Sequence, residues 1–285
     1  MSAVQRVAYL GPAGTNTEVA VLRYYPDAER VPCATVAAAV RAVQSGDVDR
    51  AIAAVENSLQ GTITETVDLL IRDDGLAICG EIVLAIEHCL MVQPGAGAND
   101  IDIIYSHPQS LGQCRRYLES HFTEVRTEAA LSNSEAVAVM MRTPRSAAIG
   151  PARAAEIYGA EILERGIEDS TVNKTRFVVL GREGGAPTGN DKTSLAFGVA
   201  HDRPGTLVSV LHEFADRAIN LTKIESRPSG ADLGVYIFLI DVEGHRDTPL
   251  VAQALAAVKE QANFFKVFGS YPAWVEEPRS STPTT

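Results

Sequence analysis

The sequence predicts an α/β fold followed by a smaller domain of the α+β type, and three patterns support this. Short apolar runs alternate with helical periodicities from residue 4 to about residue 180, which is typical of folds with mainly parallel sheets. The pattern starts again near Pro94–Gly97, which predicts two similar lobes with a cleft between them. After the glycine-rich segment Gly181–Asp191, the order of the elements changes.

The elements of the first part follow from periodicity and capping residues. Thr35 and Gly46 are the expected N-cap and stop of an alanine-rich helix. The predicted strands are 4–10, 30–33, 51–55, 76–86, 89–92, 101–105, 124–127 and 147–149. The predicted helices are 16–25, 36–44, 63–71, 109–120, 134–142 and 152–158.

The second part begins after the linker and predicts the order strand–helix–strand–strand–helix–strand. The strands are 194–199, 221–226, 235–242 and 264–270, and the helices are 205–217 and 248–260. A turn at Ser229–Asp232 separates the two middle strands. This βαββαβ order is the ferredoxin-like arrangement.

Composition and charge exclude several classes of partner. The formal net charge is −11, which argues against binding to nucleic acid or to an anionic membrane surface. No apolar run is long enough to span a bilayer, and the N-terminus lacks the pattern of a signal peptide. The four cysteines form no C-x-x-C pair, so we expect free thiols and a cytoplasmic location. No set of residues has metal-ligand spacing.

Three polar junctions follow predicted strands, where ligands collect in parallel α/β folds. They are Gly11–Thr17, Val55–Thr62 and Ser106–Cys114. Each is also compatible with a simple turn and helix cap. His107 precedes a proline at an expected helix start, which favours a functional role for it.

The segment Asn173–Phe177 places a hydroxyl, a guanidinium and an aromatic ring on consecutive residues. Arginine can grip a carboxylate with two parallel hydrogen bonds. An edge strand with one solvated arginine is the alternative. On a straight strand, Thr175 and Phe177 share one face and Arg176 points to the other. Either the segment bends at the cleft, or Arg176 acts from behind by fixing loops and an acid such as Glu56.

Taken together, these segments resemble the prephenate dehydratase family. The motifs are Gly11–Thr15, Glu56–Ser58, Ser106–Pro108 with Gln113-Cys114, and Asn173–Phe177. Residues 203–207 and 225–228 resemble an ACT regulatory domain. Two positions depart from the family pattern, Ala54 in place of proline and Thr206 in place of alanine.

The resemblance implies a domain division and an enzyme. Residues 1–182 form a two-lobed, periplasmic-binding-protein-like catalytic domain, 183–191 a linker, 192–273 the ACT domain and 274–285 a disordered tail. Because the chain begins directly at its first strand, without the chorismate mutase domain of many relatives, we expect a monofunctional enzyme. The implied reaction converts prephenate to phenylpyruvate in phenylalanine biosynthesis and needs no cofactor.

The resemblance also implies the roles of individual residues. Thr175 donates to the leaving hydroxyl, with His107 as the runner-up donor, and Arg176 holds a carboxylate. The expected substrate-binding residues are Thr15, Asn57, Ser58, Ser106, Gln113 and Phe177.

An ACT domain implies feedback control by phenylalanine at a subunit interface, in a homodimer or homotetramer. The expected effector-binding residues are Gly205, Thr206, Leu207, Asn220, Leu221, Glu225 and Ser226. A non-catalytic amino-acid sensor with two lobes and an ACT domain is the alternative function. Such a sensor has no need of the Thr-Arg-Phe segment.

Overall fold

The computed structural model describes residues 4–199, 204–230 and 235–275. The chain divides into two compact units, Met1–Thr66 with Leu84–Phe177, and Val67–Val83 with Val178–Thr285. Three predicted features lie partly or wholly outside the described residues: Arg203 of the ACT motif, the turn at Ala231-Asp232 and most of the C-terminal tail.

The described residues form strands and α-helices that we number in chain order. The strands are β1 (Arg6–Leu10), β2 (Glu29–Cys33), β3 (Arg50–Asn57), β4 (Gly61–Thr62), β5 (Ala77–Ala85), β6 (Cys89–Val92), β7 (Ile103–Ser106), β8 (Arg126–Ala129), β9 (Ser146–Gly150), β10 (Glu161–Arg165), β11 (Lys174–Gly181), β12 (Asp191–Val199), β13 (Leu221–Pro228), β14 (Tyr236–Glu243) and β15 (Ala262–Pro272). The helices are α1 (Asn16–Tyr24), α2 (Val36–Ser45), α3 (Thr64–Arg72), α4 (Pro108–Gln113), α5 (Arg115–His121), α6 (Asn133–Met140), α7 (Ala152–Tyr158), α8 (Thr206–Ala215) and α9 (Pro249–Gln261).

The first sheet has the strand order β2-β1-β3-β11-β5, with β4 paired to β3. Strand β1 pairs in parallel with both β2 and β3, so the carboxyl ends of β1 and β3 meet at one edge. Strand β11 lies between β3 and β5, so the segment that carries Thr175 is an interior strand and not the edge strand of the alternative interpretation. Its residues are buried along most of its length, which is typical of a strand covered on both faces.

The second sheet has the order β10-β6-β9-β7-β8. Strand β7 is parallel to β8 and β9, as predicted, whereas β6 is antiparallel to both β9 and β10. Strand β10 was not predicted, because it is short, half-exposed and polar at three of its five positions. The predicted helix over 109–120 is two helices, because the backbone leaves the helical region at Cys114 (φ −110°, ψ 17°).

The capping predictions for α2 are confirmed. The Thr35 side chain accepts a hydrogen bond from the Ala38 amide, and Gly46 adopts the left-handed conformation (φ 82°) that ends the helix. These local signals operate within a few residues of the chain, so they can be identified without tertiary contacts.

The C-terminal strands and helices have the predicted βαββαβ order. They form a four-stranded sheet in the order β13-β14-β12-β15, in which β14 and β15 run antiparallel to β12. Its apolar core joins the sheet to helices α8 and α9 through residues such as Phe197, Phe214 and Leu255. Strand β13 is an edge of this sheet.

Residues 67–83 group with the C-terminal unit because several ion pairs and hydrogen bonds tie them to it. Lys192 Nζ lies 2.7 Å from the buried Glu81 carboxylate, which also accepts the Trp274 amide at 3.0 Å. Arg227 pairs with Asp68 on α3. No helix in the described ranges has both the length and the apolar character that a membrane crossing requires.

Candidate functional site

A cavity of about 570 Å³ lies at the carboxyl ends of strands β1, β3 and β7 and the start of β11. Its volume falls in the range of small-molecule sites. The cavity is lined by Leu10, Asn16, Thr17, Ala54, Asn57, Gln60, Gly61, Thr62, Ile63, Thr64, Glu65, Ile86, His88, His107, Gln109, Ser110, Gln113, Asn133, Asn173, Thr175 and Phe177.

Strand β11 presents alternate side chains to this cavity. Thr175 and Phe177 line it, and they are 8% and 1% exposed. Arg176 lies on the other face of the strand, where its Nη1 is 3.6 Å from the Glu56 carboxylate. Arg176 is therefore not among the cavity residues, because a β-strand turns successive side chains to opposite faces, and the expected carboxylate grip stays a prediction.

Asn57 at the end of β3 is held in one orientation by the backbone. Its Oδ1 accepts the amides of Leu59 and Gln60 at 3.1 and 3.2 Å, in a turn that closes on the side chain. Its Nδ2 therefore faces the other way and donates to Asn173 Oδ1 at 2.8 Å and to Thr175 Oγ1 at 2.9 Å. Asn57 and Thr175, both predicted site residues, are thus directly bonded.

Gln113 and His88 extend this set of hydrogen bonds. Asn173 Nδ2 donates to Gln113 Oε1 at 3.1 Å, and the same oxygen lies 2.7 Å from His88 Nε2. Two buried atoms of these residues, Gln113 Nε2 and His88 Nδ1, have no hydrogen-bond partner. Unpaired buried polar atoms are rare in folded proteins, and in a cavity wall they indicate positions for a ligand.

The polar side chains at the end of β7 are bonded to their own lobe. Ser106 Oγ is fully buried and lies 2.8 Å from the Ile149 carbonyl and 3.1 Å from Asn133 Oδ1. His107 is the N-cap of α4, where its Nδ1 accepts the Gln109 amide at 3.3 Å. His107 lines the cavity, whereas Ser106 lies behind it.

Two further predicted substrate-binding residues lie outside the cavity lining. Thr15 caps α1 by accepting the Glu18 amide. Ser58 donates to the Val172 carbonyl and accepts the Lys174 amide, both at 2.9 Å, so it joins the end of β3 to the start of β11. Both hydroxyls are hydrogen-bonded within the protein, and the substrate-binding roles expected for them stay predictions.

Cys114 is excluded as a nucleophile by its surroundings. The thiol is fully buried, and burial raises its pKa to about 12. Among the described residues that line the cavity, none is a lysine or an arginine, and the ionisable side chains there are His88, His107 and Glu65. No cluster of potential metal ligands occurs in the described ranges.

Three residues of this site were not among the predicted site residues: His88, Asn133 and Asn173. Asn173 belongs to the motif that was singled out, and its amide joins Asn57 to Gln113. His88 follows the end of β5, the same kind of position that identified His107. Asn133 begins α6, and its amide oxygen accepts the His107 backbone N–H at 3.2 Å, a contact between distant parts of the chain.

The predicted effector residues cluster around the start of α8 and along β13. Gly205 is the N-cap of α8 and has a φ of 91°, which favours glycine. Thr206 and Leu207 begin the helix. Asn220 precedes β13 and donates to Glu243 Oε1 at 3.0 Å. Leu221, Glu225 and Ser226 lie on β13 itself, whose residues alternate between half-buried and exposed.

Comparison with known protein families identifies the family of this chain. Residues 7–185 match the family model described as prephenate dehydratase. The chain belongs to the prephenate dehydratase family. Residues 193–260 match the model of the ACT domain. The predicted family, the fold with its C-terminal ACT domain and the enzyme class, a lyase, are confirmed.

Individual members of the prephenate dehydratase family are similar to this chain over nearly its whole length. The bifunctional chorismate mutase/prephenate dehydratase of Pseudomonas aeruginosa is 40% identical over 268 residues, which cover 94% of this chain and 73% of that protein. The prephenate dehydratase of Mycobacterium bovis is 37% identical over 279 residues, covering 94% and 87%. A solved prephenate dehydratase from Arthrobacter aurescens, in complex with L-Phe, is 33% identical with a TM-score of 0.86, covering 94% and 90%.

Proposed function

We propose that this chain converts prephenate to phenylpyruvate and that Thr175 donates a hydrogen bond to the departing ring hydroxyl. One observation carries the role of Thr175. Its Oγ accepts the Asn57 Nδ2–H at 2.9 Å inside the cavity and makes no other hydrogen bond with the described residues. The hydroxyl proton of Thr175 is therefore available to a bound substrate.

The reaction fits a cavity of neutral donors. The ring carboxylate leaves as carbon dioxide, the electron pair of its C–C bond moves into the ring, and the ring hydroxyl departs with a proton as water. The ring becomes aromatic, which supplies the driving force, and no electrons enter or leave. A neutral threonine is a weak acid, so Thr175 acts by a strong hydrogen bond or as a relay, with His107 as the alternative proton source.

The unpaired donor of Gln113 provides a binding position for a substrate oxygen. Its Nε2 group is buried in the cavity wall without a partner, and an anionic oxygen that accepts from it would satisfy that group. A ring carboxylate held in this poorly solvated place loses its charge more readily on decarboxylation. Phe177, which is fully buried in the same wall, supplies apolar surface beside it.

Conversion of prephenate tests the proposal directly. The purified protein should produce phenylpyruvate, followed by its absorbance in alkali, and the T175A variant prepared in the same way controls for contaminating enzymes. Binding of prephenate without product would instead support the non-catalytic sensor. The same assay with arogenate defines the substrate range.

We also propose that phenylalanine inhibits the enzyme by binding to the ACT domain in a homodimer or homotetramer. The A. aurescens structure is described as a complex with L-Phe, which supports this effector. Exposed apolar side chains on the C-terminal domain support an assembly: Val208 and Ile224 are 54% and 49% exposed. L-Phenylalanine should lower turnover and bind in calorimetry, and D-phenylalanine should do neither. Sedimentation should show an oligomer, and a monomer at all concentrations would contradict the assembly.

The domain division and the location in the cell are part of the same proposal. The matched ranges 7–185 and 193–260 support a catalytic domain over 1–182, a linker over 183–191 and an ACT domain over 192–273. All four cysteines are free thiols, which suits the reducing cytoplasm.

A further inference from the structure

We infer that His88 is a positioning residue, which holds the Gln113 side chain in one orientation at the end of a chain of side-chain hydrogen bonds that also includes Thr175. The chain consists of His88, Gln113, Asn173, Asn57 and Thr175, and we call it the amide chain. The inference rests on the proposed function for its effect on turnover. The direction of the hydrogen bonds, however, follows from the resting protein alone.

The direction of the hydrogen bonds in the amide chain is set by backbone amides beside Asn57. Because Leu59 and Gln60 donate to Asn57 Oδ1, the Asn57 amide has one orientation, and its Nδ2 must be the donor at the other end. Asn173 then presents Oδ1 to Asn57 and Nδ2 to Gln113. A flipped amide at either position would place two N–H donors against each other, so both orientations are determined by bonding.

The direction of these hydrogen bonds also determines which ring nitrogen of His88 carries a proton. Gln113 must present Oε1 to Asn173, so the atom that faces His88 at 2.7 Å is also Oε1, an acceptor. His88 Nε2 therefore carries a proton. The His88 backbone is itself fixed, since its amide donates to Glu168 Oε2 at 2.8 Å and its carbonyl accepts the Ile167 amide at 3.1 Å. His88 is 2% exposed, so it lies almost entirely within the protein.

The amide chain holds two side chains that would meet the substrate, Gln113 and Thr175. Gln113 is held with its unpaired Nε2 group in the cavity wall, and Thr175 is held with its oxygen already accepting a hydrogen bond. An accepted hydrogen bond on Oγ aligns the hydroxyl proton away from Asn57 and polarises it as a donor. Removing the His88 donor frees Gln113 to rotate, and displacement of a substrate-binding group by about an ångström lowers turnover by as much as ~10²-fold.

Two isosteric substitutions separate the two ring nitrogens of His88. The H88Q variant keeps a donor near the position of Nε2, whereas H88N keeps a polar atom near Nδ1 and loses that donor. We expect H88N to lower kcat about 10- to 100-fold, with a smaller change in KM, and H88Q to rescue most of the loss. Equal losses in both variants would overturn the inference, because burial or Nδ1 would then be responsible.

A double-mutant cycle tests whether His88 acts through Gln113. In the Q113A background, H88N should lower kcat by less than about threefold, since the group it positions is already absent. Full additivity of the two effects would contradict a positioning role.

Nitrogen NMR of the histidine rings in the wild-type protein, without substrate, tests the hydrogen-bond direction independently of turnover and of the folding of any variant. His88, assigned by its loss in H88Q, should have a protonated Nε2. An unprotonated Nε2 overturns the amide chain even if prephenate is converted. A protonated Nε2 in a protein that does not convert prephenate supports the chain and rejects the proposed function.

Discussion

The polar side chains at the two sides of the cavity differ in how their hydrogen bonds are satisfied. At the end of β7, Ser106 is bonded within its own lobe, to Ile149 and Asn133. In the amide chain, by contrast, Gln113 keeps an unpaired donor, and Thr175 accepts a hydrogen bond but uses its own proton in none. We call the Ser106 end of β7 the closed side, because its hydrogen bonds are satisfied within the protein, and the amide chain the open side, because it keeps donors for a substrate. The closed side maintains the shape of the cavity, and the open side is equipped to meet the substrate.

The largest effect should come from the open side at Thr175. T175A removes the hydroxyl, and positioned proton donation is worth ~10²–10⁴-fold, so kcat should fall at least about 100-fold. T175S keeps the hydroxyl and is the matched control, with kcat within about tenfold of the wild type. Near-normal turnover of T175A in the prephenate assay would assign the chemistry to another group, His107 first.

Asn57 should give the next largest effect. N57D keeps the oxygen that accepts two backbone amides but loses the Nδ2 donor to Asn173 and Thr175. We expect kcat to fall about 10- to 100-fold and the free energy of unfolding to fall by ~1–3 kcal/mol, measured by urea denaturation.

The neighbouring S58A variant is the matched control for N57D. Ser58 bonds only to backbone groups of Val172 and Lys174 and does not line the cavity. Its loss should change stability by ~1 kcal/mol and leave kcat within about threefold. A larger fall in kcat for S58A than for N57D would indicate that Ser58, and not Asn57, acts on the substrate.

The closed side should respond in stability more than in turnover. S106A removes a buried hydrogen bond to the Ile149 carbonyl, so the free energy of unfolding should fall by ~0.5–1.5 kcal/mol. We expect kcat to fall less than about tenfold, because Ser106 does not line the cavity. S120A, on an exposed helix, is the control and should change neither quantity. A loss in kcat as large as that of T175A would place Ser106 on the open side.

The smallest effect is expected at Arg176, on the far face of β11. R176M breaks a partly exposed ion pair with Glu56, and such pairs contribute about 0–1 kcal/mol. The KM for prephenate should change by less than about threefold, and E56Q should behave in the same way. A rise in KM of more than about tenfold in R176M alone would restore the carboxylate grip that the sequence predicted.

Sequence reasoning succeeded where the determining contacts are local. Thr35 and Gly46 delimit α2 through bonds within a few residues. Strand alternation raised the possibility that Arg176 points away from Thr175, but it did not decide between that and a bend in the segment. Sequence reasoning failed where the partner is remote. Nothing near His88 in the chain indicates that Gln113, 25 residues away, will accept its proton. The break at Cys114, a fully buried residue, was missed as well.

The sequence by itself determined the family, the α/β lobes, the βαββαβ order of the ACT domain and the residue types of the site, because periodicity, caps and motifs are properties of neighbouring residues. The tertiary structure decided which of those residues meet. The cavity that it forms is not lined by Thr15, Ser58, Ser106 or Arg176. The tertiary structure also joined Asn57 to residues more than a hundred positions away. A hydrogen bond depends on distance and angle in space, and these are determined only when strands β3 and β11 lie side by side.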